Sequence, residues 1–217
     1  MHLFVDSADP AAFIAALARG FVYGVTTNPT LLRRATMSAG AVPKLVEQAL
    51  EHGAQEIQLQ VYAEDQAGMV REGILLHQLA PERIVIKIPA TPEGFVAAAE
   101  LTRQKIRVTL TAVYTVQQAL LAQSVGASYI AVYLGRMHDA GIDSLAIVGQ
   151  MQALFHAQHA NVQILAASIR SPAEVEALGV LGVGAATLPP PLLEQLPLSP
   201  HTELAAATFS EDAAAIQ

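Results

Sequence analysis

One lysine lies where a charged side chain is least expected. Lys87 is the only charged residue in the apolar run from Ile84 to Pro89, whose β-branched residues predict a strand that is buried on both faces. A buried ammonium is costly, so such a lysine pairs with an acid or loses its proton. The neutral amine can add to a carbonyl group and form a Schiff base. The alternatives are an edge strand with Lys87 facing water, or a structural ion pair.

Strands and helices alternate along the chain around this lysine. Short β-branched runs predict eight strands, near residues 2–6, 22–26, 57–61, 84–88, 106–109, 129–132, 162–167 and 184–188. Helical periodicity predicts helices over residues 10–19, 41–52, 65–79, 93–104, 116–125, 142–158 and 172–178. This alternation predicts the α/β class and a parallel sheet with crossover helices, and eight repeats close into a (β/α)8 TIM barrel.

Polar residues follow the predicted strands at their carboxyl ends, where barrels of this kind build their active sites. Each such residue by itself is typical of a helix cap or a turn. Grouped around a buried amine, they predict a site at one mouth of the barrel. The residues are Asp6, Thr26, Thr27, Asn28, Gln60, Lys87, Thr111, Tyr133 and Ser168.

Composition limits the classes of partner. The chain has 217 residues, 53% hydrophobic and 14% charged, which is typical of a globular protein with a large core. The net charge of −7 argues against nucleic acid or an anionic membrane as the main partner, and an anionic substrate would need a local cationic patch. The chain has no cysteine, and its seven histidines lack the paired spacing of zinc ligands, so we expect no metal.

The two ends of the chain carry further expectations. Met1 leads directly into the first predicted strand without a signal-length apolar segment, and no 18-residue apolar run is present, so we expect a cytoplasmic protein that spans no membrane. We divide the chain into a catalytic barrel, residues 1–200, and a C-terminal helix, residues 201–217. Residues 201–216 read as one amphipathic helix with Leu204, Ala207, Phe209 and Ile216 as its apolar members.

The motifs at the strand ends resemble those of one known family. Gly24-Val-Thr-Thr-Asn-Pro-Thr30 and Ile84-Val-Ile-Lys-Ile-Pro89 are its most specific matches. Leu3-Phe-Val-Asp6, Thr111-Ala-Val-Tyr114, Tyr133-Leu-Gly-Arg136 and Ala166-Ala-Ser168 follow the same order along the chain. Over about residues 1–190 the chain resembles the transaldolase family, and within it the fructose-6-phosphate aldolase branch of small transaldolase-like proteins. This resemblance implies a class I aldolase barrel that uses no cofactor.

The resemblance also implies a role for each catalytic candidate. Lys87 would form the Schiff base with dihydroxyacetone or with the ketose. Asp6 would bind a substrate hydroxyl and assist proton transfer at the C4 hydroxyl. Gln60, Thr111 and Tyr133 would hold the water that carries protons between the carbinolamine and the imine. From the residues alone, only Asp6, Tyr133 or an ordered water could act as the base at the C4 hydroxyl.

The remaining candidates would bind substrate. The resemblance implies that Asn28 binds substrate hydroxyls and that Arg136 and Ser168 bind the phosphate. Arg170 stands where a basic residue is common in the family. We group Thr26 and Thr27 with Asn28 as candidates for substrate binding. The planar guanidinium of Arg136 suits a phosphate, but the alternative is a loop charge paired with Asp139.

Gln60 and Tyr133 separate two related activities. Transaldolases generally carry glutamate and phenylalanine at the matching places and pass the dihydroxyacetone unit to an acceptor sugar. An amide cannot do the acid–base work of a carboxylate, so we favour the aldolase over the transaldolase. The third alternative is a barrel that binds a sugar phosphate without catalysing a reaction. The presence of Lys87, Asp6, Asn28 and Tyr133 argues against it. Thr109-Leu110 and Val132 depart from the family pattern beside the expected water site.

The last expectation concerns the oligomeric state of the protein. The resemblance implies that the C-terminal helix packs on a neighbouring subunit in a homo-oligomer, a pentamer or a decamer. The alternative is that the helix folds back on its own barrel. The other partners implied are small molecules, namely sugar phosphates and dihydroxyacetone.

Overall fold

The computed structural model of the chain describes residues 1–216 and contains a closed barrel of eight parallel strands. The strands are β1 (His2–Asp6), β2 (Val22–Thr26), β3 (Glu56–Gln60), β4 (Ile84–Pro89), β5 (Val108–Val113), β6 (Tyr129–Tyr133), β7 (Gln163–Ala167) and β8 (Ala185–Leu188). Each strand pairs with the next along the chain, and β8 pairs with β1. The predicted (β/α)8 barrel is confirmed.

Helices connect the strands and cover the outside of the barrel. They are α1 (Pro10–Leu17), α2 (Pro29–Arg34), α3 (Val42–Glu51), α4 (Gln66–His77), α5 (Pro92–Arg103), α6 (Val116–Ser124), α7 (Leu134–Asp139), α8 (Ser144–Ala157), α9 (Pro172–Val180), α10 (Pro190–Gln195) and α11 (Pro200–Ala215), with a 3-10 turn at Ala39–Ala41. Polar side chains cap their first turns, as Thr91 and Ser171 do, and proline often occupies the first helical position. Both features fix the residue at which a helix begins after the preceding loop.

The core has two parts. The larger part lies between the sheet and the helices, where alternate strand residues meet the apolar helix faces. The smaller part fills the barrel and contains Phe4, Val85, Tyr129, Ala131, Leu165 and Ala185. Because this inner plug occupies only the middle of the barrel, polar side chains gather above it at the carboxyl ends of the strands and below it at the floor.

The structure corrects one strand and adds two short helices. β5 was predicted at residues 106–109 but runs from Val108 to Val113, because the chain turns at Lys105 (φ 64°) before the strand begins. A register shift between Leu110 and Val113 then lets the strand continue past Thr111. The helices α2 and α7 were not predicted, since six residues are too few for helical periodicity to show.

The C-terminal helix α11 begins at Pro200, beside the predicted boundary at residue 201. It has no buried residue, and Leu204 and Phe209 are each 70% exposed. The alternative in which α11 folds back on its own barrel is therefore wrong. Leu204 and Phe209 are also about 140° apart around the helix axis, so a single apolar stripe is not formed. Over residues 1–216, none of the helices is long and apolar enough to cross a membrane.

Candidate active site

Lys87 lies inside the barrel, near the end of β4, and is 2% exposed. β4 has a neighbour on both sides, so the edge-strand alternative is wrong. The Nζ atom donates a hydrogen bond to the backbone carbonyl oxygen of Thr27, at 3.0 Å. Burial lowers the pKa of the Lys87 ammonium, and the Asp6 carboxylate opposes this shift. Lys87 is thus held as an amine that loses its proton more readily than an exposed lysine.

Asp6 ends β1 and faces the same cavity as Lys87. Burial raises the pKa of its carboxyl group, and Lys87, the Thr26 hydrogen bond and Arg34 act in the opposite direction. The hydroxyl of Thr26 donates to the Asp6 carboxylate at 2.7 Å and lies 2.5 Å from the hydroxyl of Thr187. A carboxylate with a raised pKa and fixed orientation is suited to exchange protons with a substrate.

Thr26 and Thr27 do not reach the cavity, although both were predicted to bind substrate. Their side chains are buried, at 0% and 1% exposure, and neither residue lines the cavity. Thr26 instead orients Asp6 through its hydroxyl, and Thr27 orients Lys87 through its backbone carbonyl. Both residues support groups of the site without facing the space where a substrate would lie.

Asn28 follows directly and does line the cavity. Its Oδ1 atom accepts a hydrogen bond from the backbone N–H of Leu31 at 3.0 Å and so caps α2. The side-chain amide nitrogen of Asn28 has no hydrogen-bond partner within residues 1–216, which leaves two donors for a ligand hydroxyl. The cap thus fixes the side chain and orients its free end.

Tyr133 and Thr111 form a hydrogen-bonded pair on the opposite side. The Thr111 hydroxyl donates to Tyr133 Oη at 3.1 Å. Tyr133 lines the cavity, whereas Thr111 is 1% exposed behind it. Ala112 has a left-handed backbone (φ 58°) within the register shift of β5. This bulge changes the direction of the strand just after Thr111, as bulges beside active sites commonly do.

Gln60 was predicted to be catalytic, but it lies outside the cavity that Lys87 lines. It is the register partner of Lys87 on the neighbouring strand β3. It lines a separate cavity of about 530 Å³ between the loops after β3 and β4, with Tyr62, Glu64 and Glu93. The structure therefore brings Gln60 next to Lys87 in the sheet but not into the cavity onto which Lys87 opens.

The predicted phosphate-binding residues meet at the ends of β6 and β7. Arg136 places its guanidinium carbon 4.8 Å from the centre of the Tyr133 ring. Arg170 holds Asp139 with two hydrogen bonds, of 2.7 and 2.6 Å, and these bonds lower the pKa of the Asp139 carboxyl group. Asp139 therefore pairs with Arg170, so the alternative pairing with Arg136 is wrong.

Ser168 lies beside this pair in a left-handed backbone conformation (φ 60°). Its carbonyl oxygen accepts a hydrogen bond from the backbone N–H of Gly135 at 3.0 Å. A Cβ atom at position 135 would collide with this oxygen and would lie 2.7 Å from Arg170 Nε. Only glycine allows the end of β6 and the loop after β7 to approach this closely.

Together these residues enclose a cavity of about 310 Å³ at the barrel mouth. Its walls are Asp6, Asn28, Thr30, Leu31, Arg34, Lys87, Tyr133, Arg136, Asp139, Ala167, Ser168, Arg170 and Thr187. Thr187 was not predicted, although it is the last residue but one of β8 and attention to the strand ends could have found it. Arg34 was not predicted either, because only the short helix α2 brings it to the cavity. Over residues 1–216, no three histidine, aspartate or glutamate side chains gather as metal ligands would.

A second polar group, at the barrel floor, was also missed. Glu56 is 1% exposed and accepts a 2.6 Å hydrogen bond from Arg107 and a 2.9 Å bond from the side chain of Gln58. Gln58 in turn accepts from the Thr109 hydroxyl at 2.9 Å. Thr109 is the register partner of Lys87. The hydrogen bonds therefore run from beside the amine down to a buried carboxylate.

Comparison with known proteins points to one family. The family model described as "Transaldolase/Fructose-6-phosphate aldolase" matches residues 3–217. A protein named "Probable transaldolase" from Kosmotoga olearia is 36% identical over 212 residues, 98% of this chain and 95% of the relative. One of the same name from Geobacter sulfurreducens is 34% identical over 98% of this chain and 97% of the relative.

Solved structures share the barrel. A mandelate oxidase mutant with an FMN adduct superposes with a TM-score of 0.62 at 18% identity, over 88% of this chain and 65% of that one. A flavocytochrome b2 variant with sulfite bound also gives 0.62, at 13% identity, over 88% of this chain and 57% of that one. At such low identity these likenesses concern the fold alone.

Proposed function

The chain belongs to the transaldolase/fructose-6-phosphate aldolase family, and from this premise we propose that it is a Schiff-base aldolase that reversibly cleaves fructose 6-phosphate to dihydroxyacetone and glyceraldehyde 3-phosphate. The observation that carries the proposal is Lys87. Its amine is buried, its pKa is lowered, and it lines the same cavity as Asp6 and Tyr133. An amine that loses its proton readily, in a cavity with a carboxyl and a phenol group that can exchange protons, is what covalent catalysis on a ketone requires.

The reaction begins when the Lys87 amine adds to the C2 carbonyl of the ketose and forms a carbinolamine. Loss of the C2 hydroxyl as water, with a proton delivered from the side of Tyr133 and Thr111, leaves an iminium ion. The iminium withdraws electrons from the C3–C4 bond. In our proposal the hydrogen-bonded pair of Thr111 and Tyr133 holds the water through which this proton passes.

Cleavage follows when Asp6 accepts the proton of the C4 hydroxyl. The C4 oxygen becomes the aldehyde of glyceraldehyde 3-phosphate, and the electron pair of the broken C3–C4 bond forms an enamine with the nitrogen of Lys87. Protonation at C3 regenerates the iminium, and water then releases dihydroxyacetone and the free amine. We assign to Asn28, which lines the cavity, a hydrogen bond to a substrate hydroxyl during these steps.

We assign the phosphate end of the substrate to the basic residues of the cavity wall. Arg136 and Ser168 line it together with Arg170, and a guanidinium binds a phosphate with paired hydrogen bonds. Gln60 is an amide in a neighbouring cavity. We therefore assign the proton transfers to Asp6 and to the pair of Tyr133 and Thr111, which favours the aldolase.

The second candidate is a transaldolase that transfers the dihydroxyacetone unit from a ketose phosphate such as sedoheptulose 7-phosphate to glyceraldehyde 3-phosphate. The relatives named "Probable transaldolase" favour it, since they match almost the whole chain. The two activities share Lys87 and the enamine, and they differ in whether the dihydroxyacetone unit is released to water or passed to an acceptor aldehyde.

Incubation with fructose 6-phosphate alone separates the candidates. The aldolase produces glyceraldehyde 3-phosphate without an acceptor. The transaldolase produces it only when erythrose 4-phosphate is added. Lys87→Met should abolish both, whereas Lys44→Met, which removes an exposed lysine of α3, should abolish neither.

Borohydride tests the mechanism independently of turnover. Reduction in the presence of fructose 6-phosphate or dihydroxyacetone should attach the sugar covalently to Lys87 in the wild type and to nothing in Lys87→Met. A wild-type protein that is neither modified nor active would refute both enzymes and leave a barrel that only binds sugar phosphates.

We also propose that the chain forms a homo-oligomer, a pentamer or a decamer as the family resemblance implies. The support is α11, whose Leu204 and Phe209 lie exposed and which the barrel of the same chain leaves uncovered. Exposed large apolar side chains on an otherwise unpacked helix are typical of an interaction surface. A cytoplasmic location stays a prediction.

A further inference from the structure

Arg34 is a cavity residue that the sequence analysis did not identify. It ends α2, the same short helix whose first turn is capped by Asn28. It lines the cavity with Lys87 and Arg136. The strand-end rule could not have found it, because residues 27–33 separate it from the end of β2.

The charges around the cavity are not equally available to a ligand. Arg170 is held by two hydrogen bonds to Asp139, so their charges largely cancel. Arg34 makes no hydrogen bond or ion pair with any of residues 1–216. Arg136 packs over the Tyr133 ring but is likewise without a carboxylate partner in that range. Two guanidinium groups of the cavity wall are therefore unneutralised.

This pair of cations matches the charge of a phosphate monoester. Such a group carries a charge of about −1.5 to −2 near neutral pH, and a single arginine would leave much of that charge uncompensated. The chain as a whole carries a net charge of −7, which disfavours the approach of an anion unless local cations oppose it. A second free guanidinium at the mouth supplies that opposition.

Arg34 also lines two adjoining cavities. Besides the cavity of Lys87, it lines an adjoining one of about 430 Å³ with Ser7, Asp9 and Leu31. Its charge opposes the rise that burial causes in the pKa of Asp6. The side chain therefore borders the cavity of Lys87 next to the loop that follows β1, which contains Ser7 and Asp9.

We infer that Arg34 is a substrate-binding residue that, together with Arg136, contacts the phosphate of the aldehyde product or acceptor and makes the enzyme selective for phosphorylated aldehydes. This inference rests on the proposed function and adds to it a residue that determines specificity. Arg170, already paired with Asp139, then contributes less to phosphate binding than its position suggests.

The test compares two aldehydes in the synthesis direction, each with dihydroxyacetone. Arg34→Gln should lower kcat/KM for glyceraldehyde 3-phosphate by about 10-fold to 100-fold, the effect of losing a charged hydrogen bond. It should leave kcat/KM for unphosphorylated glyceraldehyde little changed. Arg33→Gln is the matched control, because Arg33 is exposed on the same helix turn and does not line the cavity.

Equal losses with both aldehydes would overturn the inference, because Arg34 would then act through Asp6 or through the fold. No loss with either would overturn it too, and would place the role of Arg34 in the adjoining cavity. An Arg33→Gln effect as large as that of Arg34→Gln would mean that general electrostatic steering, not contact, is responsible.

A binding measurement keeps this inference separate from the proposed function. Calorimetric titration with inorganic phosphate should give a Kd that is raised about 10-fold to 100-fold in Arg34→Gln and unchanged in Arg33→Gln. If the wild type turns over no sugar but this difference in Kd is present, the proposed function fails and Arg34 still binds phosphate. Phosphate binding that is identical in the wild type and Arg34→Gln would refute the inference whatever the activity.

Discussion

The Nζ atom of Lys87 lies 3.0 Å from the carbonyl oxygen of Thr27, the residue directly before the Asn28 cap of α2. A backbone carbonyl accepts hydrogen from an amine without supplying a formal negative charge. The contact therefore orients the nucleophile while burial still lowers the pKa of Lys87. The main opposing charge is Asp6, which raises the pKa.

Imine formation should depend on pH through Lys87. We expect the rate at which borohydride traps dihydroxyacetone to rise with pH, as Lys87 loses its proton, and to level off below the ordinary lysine pKa of 10.5. Asp6→Asn removes the carboxylate that raises this pKa, so the midpoint should move to lower pH. Mass spectrometry of the reduced adduct gives the rate at each pH.

Asp212→Asn is the control for this experiment, because it removes an exposed carboxylate of α11. Its midpoint should equal that of the wild type. A midpoint that stays in place or rises in Asp6→Asn would mean that Asp6 does not act on the charge of Lys87.

The Tyr133 hydroxyl should matter for imine formation and hydrolysis. Tyr133→Phe keeps the ring under Arg136 but removes the partner of the Thr111 hydroxyl. We expect kcat to fall by about 10²-fold, the lower end of the effect of general acid–base catalysis, with a smaller change in KM. Stopped-flow measurement of imine formation should show the same loss.

Tyr114→Phe provides the matched control. The Tyr114 ring stands edge-on to Tyr133 at 6.2 Å, and its hydroxyl makes no hydrogen bond within residues 1–216. Its kcat should remain close to that of the wild type. Comparable losses in the two variants would show that ring packing, and not the Tyr133 hydroxyl, limits the reaction.

Much of the fold followed from the sequence, because barrel strands are buried on both faces and read as β-branched runs. β4 was predicted within one residue for this reason. β5 was misplaced because Ile106 is still hydrogen-bonded to the end of α5: it follows a left-handed turn at Lys105, and its backbone N–H donates to the carbonyl oxygen of Leu101. Such turns usually contain glycine, so a lysine at this position does not predict one. The helix α2 was too short to show periodicity, so Arg34 could not be placed.

The site was predicted in outline, since strand ends must meet at one mouth. Its internal contacts were not. The role of Thr27 depends on a backbone carbonyl, which every residue has and no motif encodes. Asp139 pairs with Arg170 across 31 residues of sequence, and the close approach at Gly135 brings Arg170 beside α7, which no motif encodes.

Gly135→Ala should damage phosphate binding through the loop after β7. The added methyl group would collide with the Ser168 carbonyl oxygen and push against Arg170. We expect KM for fructose 6-phosphate to rise by about 10-fold to 100-fold, in line with a displacement of about an ångström. Trapping of unphosphorylated dihydroxyacetone should change little.

Gly141→Ala is a control that changes another glycine near the same helix, with open space around it but a strained backbone (φ 71°). It should cost stability without a selective effect on phosphorylated substrates. Equal KM values for fructose 6-phosphate in wild type and Gly135→Ala would contradict the role assigned to the close approach.

The exposed apolar residues of α11 should hold the oligomer together. Replacing Leu204 and Phe209 with aspartate should reduce the mass measured by analytical ultracentrifugation, because their apolar surface would be lost and charge placed in the contact. Thr208→Asp with Ser210→Asp adds the same charge on the same helix and should reduce the mass less. A monomeric wild type would refute the predicted homo-oligomer.

The buried carboxylate at the barrel floor should make Arg107 important for stability. Arg107→Met strands the Glu56 charge, which is 1% exposed. Removing one partner of a buried pair costs about 3–5 kcal/mol, and we expect about 2–4 kcal/mol because Arg107 is 39% exposed. Adding Glu56→Gln removes the stranded charge, so the double variant should unfold at a higher urea concentration than Arg107→Met alone. If the two substitutions destabilise additively, the cost comes from lost packing of the arginine and not from an unpaired carboxylate.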